Sequence, residues 1–232
     1  YAQLLMTISN QHGLHYTIQR LQNHPVSDHE WTSPPWETVA SMTIKHHMGH
    51  LPAHRPLTKV KLLYDEDAIY VRFWVYDRYV MALETDSQSA VCRDSCVELF
   101  FSPSKDVSPG YFNIEANCVG TTLFHYQRNP QIGQELLTAE IHQLDMRHSI
   151  KGPTVAQEIT EPLTWTLGYR IPFSALKPYA TISRPSPGVI WRANLYKCAD
   201  RTSHPHWLTW SPVKFERPNF HLKEQFGFFH FA

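Results

Sequence analysis

The run Arg93-Asp94-Ser95-Cys96-Val97-Glu98-Leu99-Phe100-Phe101, followed by Tyr111-Phe112-Asn113-Ile114-Glu115-Ala116-Asn117, decides the fold class. In each, alternate residues are apolar (Val97, Leu99, Phe101; Phe112, Ile114, Ala116), while the intervening set holds Glu98 in the first and Asn113, Glu115 and Asn117 in the second. Period two marks a half-buried strand, because successive Cβ atoms point to opposite faces of a sheet. The pattern therefore predicts two strands that carry two carboxylates and two amides on the outer face of one sheet. On these two strands alone, a solvated sheet face is the commoner explanation. Solvated faces more often carry Thr, Lys and scattered charge, however, and Glu and Asn beside aromatics suit a neutral polyhydroxyl ligand.

Working outward, Val60, Leu62 and Tyr64 alternate up to Asp65-Glu66-Asp67, after which Ile69, Val71, Phe73 and Val75 alternate with Tyr70, Arg72, Trp74 and Tyr76. This is a hairpin. Further strands are predicted at about 120–127, 165–171, 189–197 and 226–231, with a short one at His15-Tyr16-Thr17-Ile18 and a single helical turn at Phe173-Ser174-Ala175-Leu176 after Pro172. Many short strands joined by proline-containing loops predict an all-β, antiparallel β-sandwich with immunoglobulin- or jelly-roll-like layers, long loops and little helix. A chain of 232 residues accommodates this as a single domain over 1–232, with 1–37 a partly irregular N-terminal segment.

Twenty-one Lys and Arg balance twenty-one Asp and Glu, with no basic run. A general field for nucleic acid is therefore missing, and no nucleic-acid partner is expected. No apolar stretch has the length of a membrane span, and the first residues do not form a secretory signal. The chain starts at Tyr1 rather than Met, which leaves export open. Strand parity puts Cys96 on the Glu98 face and Cys118 on the core face, so the four cysteines (Cys92, Cys96, Cys118, Cys198) are expected to be mostly free thiols. The spacing Cys92-x3-Cys96 is that of neither a zinc knuckle nor a redox pair.

In the strand near 189–197, Val189, Trp191, Ala193 and Leu195 form the apolar set, opposite Ile190, Arg192, Asn194 and Tyr196. If it joins the same sheet, Arg192 and Asn194 stand beside Glu98, Glu115 and Asn117, with Tyr70, Arg72 and Trp74 as a further edge. The order of these runs, together with Trp165 to Pro172, Trp191 to Tyr196, Trp210-Ser211-Pro212, Phe220-His221 and Phe226-Gly227, resembles carbohydrate-binding module family 9 and the wider DOMON-like group of sugar- or haem-binding β-sandwiches. The resemblance covers about residues 38 to 232.

It implies a noncatalytic domain that holds an oligosaccharide or polysaccharide between aromatic rings. It also implies a secreted, periplasmic or cell-surface location and a place in a larger glycan-processing system. Carried over, the ligand-binding positions are Glu98, Asn113, Glu115 and Asn117, with Trp210 as the late aromatic. Arg192, Asn194 and Trp74 join them from the predicted face. Family members place a sandwiching tryptophan six residues before the glutamate, where this chain has Cys92; Trp74, Tyr70 and Trp207 are the candidates to replace it. Of Trp207 and Trp210, three residues apart and so on opposite faces of a regular strand, Trp210 is expected to be the exposed one. Trp165 and Trp191 are expected in the core, and Trp31 and Trp36 under a long loop.

The resembling modules often hold structural calcium, for which Asp65, Glu66, Asp67 and Asp77 supply hard oxygen ligands. His46, His47, His50 and His54 read as a His-rich surface loop rather than a metal site, since no regular element or carboxylate accompanies them. Two rivals stand beside sugar binding. One is a glycoside-processing enzyme using Glu98 and Glu115, about 5 Å apart if their strands pair. It ranks second because an open face excludes little water and nothing in the sequence marks either carboxyl as raised in pKa. The other is haem binding, with Met81 or His125 as axial ligand.

Overall fold

The computed structural model describes residues 13–22, 31–128 and 132–232. They form sixteen strands: β1 (His15–Arg20), β2 (Met42–Ile44), β3 (His46–His47), β4 (Leu57–Tyr64), β5 (Ala68–Asp77), β6 (Val80–Ala82), β7 (Cys96–Ser102), β8 (Tyr111–Asn117), β9 (Thr122–Gln127), β10 (Gln134–Leu136), β11 (Arg147–His148), β12 (Val155–Ile159), β13 (Leu163–Pro172), β14 (Ile190–Cys198), β15 (Trp207–Thr209) and β16 (Gly227–Phe231). The single α-helix among the described residues, Phe173–Leu176, is one turn long. Of the expected irregular segment 1–37, residues 1–12 and 23–30 lie outside the described residues, and His15–Arg20 is a regular strand.

One sheet runs β10-β9-β8-β7-β14-β16-β1-β4-β5-β13-β11, and β12 with β6 forms a small second one. The long sheet folds over at β1. Residues 15–18 pair with β16 and residues 19–20 with β4, both in parallel, against the antiparallel pairing of the rest of the sheet. The result is two layers with apolar faces turned inward, an all-β sandwich. Val97, Leu99 and Phe101 of β7 and Phe112, Ile114 and Ala116 of β8 join Val71, Phe73 and Val75 of β5 and Leu167 of β13 in one buried cluster. At its centre Phe101 stacks on Phe112 and on Trp191, ring centroids 5.3 and 5.7 Å apart. Each such ring contributes roughly 1.5–3 kcal/mol by leaving water.

The outer face of β7, β8 and β14 is not open. Cys96, Phe100, Tyr111, Tyr196, Cys198, Phe220 and Phe226 make a second buried cluster on that side. The segment between β15 and β16 covers it, and two outward side chains of β14 fasten the cover. Arg192 donates to the carbonyls of Glu224, Phe226 and Gly227, Tyr196 Oη donates to Phe220 O at 3.1 Å, and the Phe220 ring stacks on Tyr196 with centroids 4.0 Å apart. The aromatic residues in the outward parity set are explained by this cover: they are core residues of a second, smaller interior.

Candidate functional site

Glu98 and Glu115 are direct cross-strand partners on β7 and β8, so both side chains leave the sheet on the same face. The cover seals that face almost completely, leaving Glu98 1% and Glu115 5% exposed. The carboxyls nevertheless border a cavity of about 180 Å³ whose wall includes Cys92, Cys198, Asp200, Trp207, Phe220 and His221. Trp207, half-buried on β15, donates its indole N–H to Asp200 Oδ1 at 2.7 Å, which fixes the ring plane at the rim. His221 is shared with a larger neighbouring cavity of about 580 Å³, lined also by Tyr111, Gln127, Arg128 and Gln134.

A line of side-chain amides links the two cavities. Gln127 Nε2 donates to Gln134 Oε1 and to Asn113 Oδ1, both at 3.1 Å, and Asn113 Nδ2 donates to Glu115 Oε1 at 2.9 Å. Cys198 Sγ–H donates to Glu98 Oε1 at 3.1 Å, while Glu98 Oε2 is buried without a partner.

Burial and the repulsion of Glu115 hold the Glu98 carboxyl well above its ordinary range. Burial likewise raises Glu115 to about 7, against the opposing Asn113 hydrogen bond. Covering loops thus supply the raised carboxyls that the sequence did not mark.

The remaining expected site residues are placed elsewhere or are already engaged. Asn117 donates to Asp94 Oδ2 and Glu84 O and accepts from the backbone of Val119 and Thr121, closing the turn between β8 and β9. Asn194 exchanges two hydrogen bonds with the Ser211 backbone, and Arg192 holds the cover. Trp210, expected to be exposed, is 4% exposed and sits in the main core against Phe229, while Trp207 occupies the rim. Trp74 stands on the outer face of the opposite layer, beside Trp31 and Lys59. The predicted single convergent face is therefore split: β5 belongs to the other half of the sandwich.

Parity could not reveal Asp200, Asn219, Phe220 and His221, which reach the pocket from loops. The sequence signals for this cover are the Phe220-His221 motif and the aromatic character of the outward set beneath it.

The four acids considered for calcium are not brought together. Asp65 caps its own turn through Asp67 N, Ala68 N and Tyr70 Oη, whereas Asp77, at the far end of β5, is buried against Lys197 and His54. His46 and His47 form the short strand β3 on β15 rather than an irregular loop. Met81 lies on β6 and His125 on β9, and neither lines the two cavities above.

The family model for carbohydrate-binding family 9 matches residues 36–231. The chain belongs to carbohydrate-binding family 9. Among solved structures, it is similar to a candidate carbohydrate-binding protein from Bacteroides uniformis ATCC 8492 (TM-score 0.78, 24% identity, covering 95% of this chain and 100% of that one). It is also similar to a family 9 module from Caldicellulosiruptor kristjanssonii, solved with cellotriose (TM-score 0.60, 15% identity, 94% of this chain and 93% of that one) and with glucose (TM-score 0.58, 15% identity, 94% and 96%). Comparison with curated proteins finds no match. The solved structures establish a shared fold, and family membership makes this a carbohydrate-binding domain.

All four cysteines are free. No helix among the described residues is long and apolar enough to cross a membrane.

Proposed function

We propose that this family 9 domain holds the end of a saccharide, without transforming it, in the pocket floored by Glu98 and Glu115 and rimmed by Trp207. The observation that carries the reading is the pairing of a half-exposed indole, fixed by Asp200, with two carboxyls at the base of one small cavity. A ring face stacks on an indole, and hydroxyls need groups that both donate and accept, which a carboxyl of raised pKa provides. The cavity's 180 Å³ equals the share of about six waters, enough for a chain end rather than a long segment. The larger cavity across His221 offers room for the units that follow. Cys92 stands where the family's sandwiching tryptophan is expected, so Trp207 serves as a one-sided platform. Within the same reading the domain works outside the cytoplasm, as part of a larger glycan-processing system.

The raised pKa values of both glutamates favour hydrolysis as the rival. Against it, the two carboxyls are neighbours on one wall, whereas a hydrolytic pair must flank the scissile bond. Calorimetry against gluco-oligosaccharides should show binding that Trp207→Ala abolishes. Glu98→Gln should weaken it by about two- to tenfold, the loss of a hydrogen bond made by a neutral carboxyl. Prolonged incubation should release no reducing ends. Turnover that disappears in Glu115→Gln would establish the enzyme instead.

A further inference from the structure

Cys92 and Cys198 line this pocket, and Cys96 is buried beside Cys198. Cys96 and Cys198 face each other in register across β7 and β14, and Glu98 lies two residues along on the same side of β7. Cys198 Sγ is 3.1 Å and Cys96 Sγ 4.0 Å from Glu98 Oε1, and the three candidate ligand atoms fall within 4.8 Å of one another. Among the described residues no other group of His, Cys, Asp and Glu converges in this way.

Two features go beyond proximity. Glu98 Oε2 is fully buried without a partner, a state that costs free energy until something occupies it. The pocket lining holds three carboxyls, Glu98, Glu115 and Asp200, and no lysine or arginine. Lys197, next in sequence to Cys198, points into the main core and is paired with Asp77.

We propose that Cys96, Glu98 and Cys198 form a binding site for a thiophilic divalent cation of the zinc type, with its fourth position open to the pocket and filled by water. Two thiolates and a carboxylate form a donor set for such an ion. Tetrahedral zinc with Zn–S near 2.3 Å places two sulfurs about 3.8 Å apart, so side-chain adjustments of about an ångström close the observed cluster around it. Binding releases the two thiol protons, and the Glu98 proton where it is held, through the pocket to solvent. The site then carries a net single negative charge in place of an orphaned carboxyl. Cys118 faces the other side of the sheet, in the main core, and takes no part.

The test uses the full chain, reduced, chelator-treated and kept anaerobic, titrated with Co²⁺. One equivalent should produce near-ultraviolet thiolate-to-cobalt charge transfer and tetrahedral d–d bands, both displaced by Zn²⁺. Cys118→Ala should leave them unchanged, Cys198→Ala should remove them, and Glu98→Gln, nearly isosteric, should weaken affinity about tenfold or more while the circular dichroism stays native. Absence of charge transfer in the folded, reduced protein overturns the proposal, as does its survival in Cys198→Ala. If Cys198→Ala does not fold, Glu98→Gln decides: unaltered affinity removes the carboxylate and with it the site. None of these outcomes depends on sugar binding, so the metal site and the saccharide reading stand or fall separately.

Discussion

Trp207 and Trp210 show how far single residues can be read. Their spacing on a strand demands opposite faces, and that relation holds: Trp207 is at the pocket rim and Trp210 in the core. Which ring faces in was not legible, because it depends on a residue far along the chain. Gly227, opening β16, lets the Trp210 ring lie against its backbone. A Cβ there would come within 2.8 Å of the ring and 2.6 Å of Leu14 O. The motifs Trp210-Ser211-Pro212 and Phe226-Gly227 are thus two halves of one contact. Gly227→Ala should cost roughly 1–3 kcal/mol by overpacking, read as a lower urea midpoint with unchanged slope. An unaltered midpoint would show that strand and ring can yield.

At the scale of the strand, β14 departs from a simple alternation. Its inward set reads Trp191, Ala193, Leu195 and then Lys197, fully buried where an apolar residue is expected. The ammonium is 3.4 Å from Asp77 Oδ2 at the end of β5 and donates to His206 Nε2 at 2.8 Å. Lysine has no acceptor, so His206 carries its proton on Nδ1, which donates to His204 O. The alternation of β4, β5, β7, β8, β13 and β14 was legible because period two survives on any half-buried strand. The ion pair was not, since it joins two strand ends in different layers. Lys197→Met should cost about 3–5 kcal/mol by leaving Asp77 buried and unpaired, while Lys197→Met with Asp77→Asn should recover most of the loss in a denaturant cycle. A double variant no more stable than the single one would show that the carboxylate matters through its hydrogen bonds with Trp165 Nε1, 3.3 Å from Oδ2, and His54 rather than through the lysine.

Across the whole molecule, the two sides of the first layer impose opposite pH dependences. Burial favours the neutral form of Asp77, but Lys197 and the hydrogen bond from His54 outweigh it and hold the carboxyl at about 2. Burial, reinforced by Lys197, lowers His206 to about 3. Both groups take up protons more readily when unfolded. Their contribution is therefore present above the unfolded values, 3.8 and 6.5, and is lost as pH falls toward the folded ones. Glu115 on the outer side has the opposite sign. Raised from 4.5 to about 7, its contribution is complete below 4.5 and is lost as pH rises through 7, with Glu98 continuing the decline. Between 4.5 and 6.5 His206 offsets only one of the two raised glutamates, so stability of the metal-free protein should peak near pH 4.5, decline gently up to 6.5 and more steeply above it, and fall on the acid side. Glu115→Gln should flatten the decline between 4.5 and 6.5 and leave the acid limb intact, whereas Asp77→Asn should lower the maximum and reduce the acid slope. Chemical denaturation across pH with chelator present measures both. An upper limb unchanged in Glu115→Gln would mean that this carboxyl is ionised in the folded protein, and that the pocket is wetter than its cover implies.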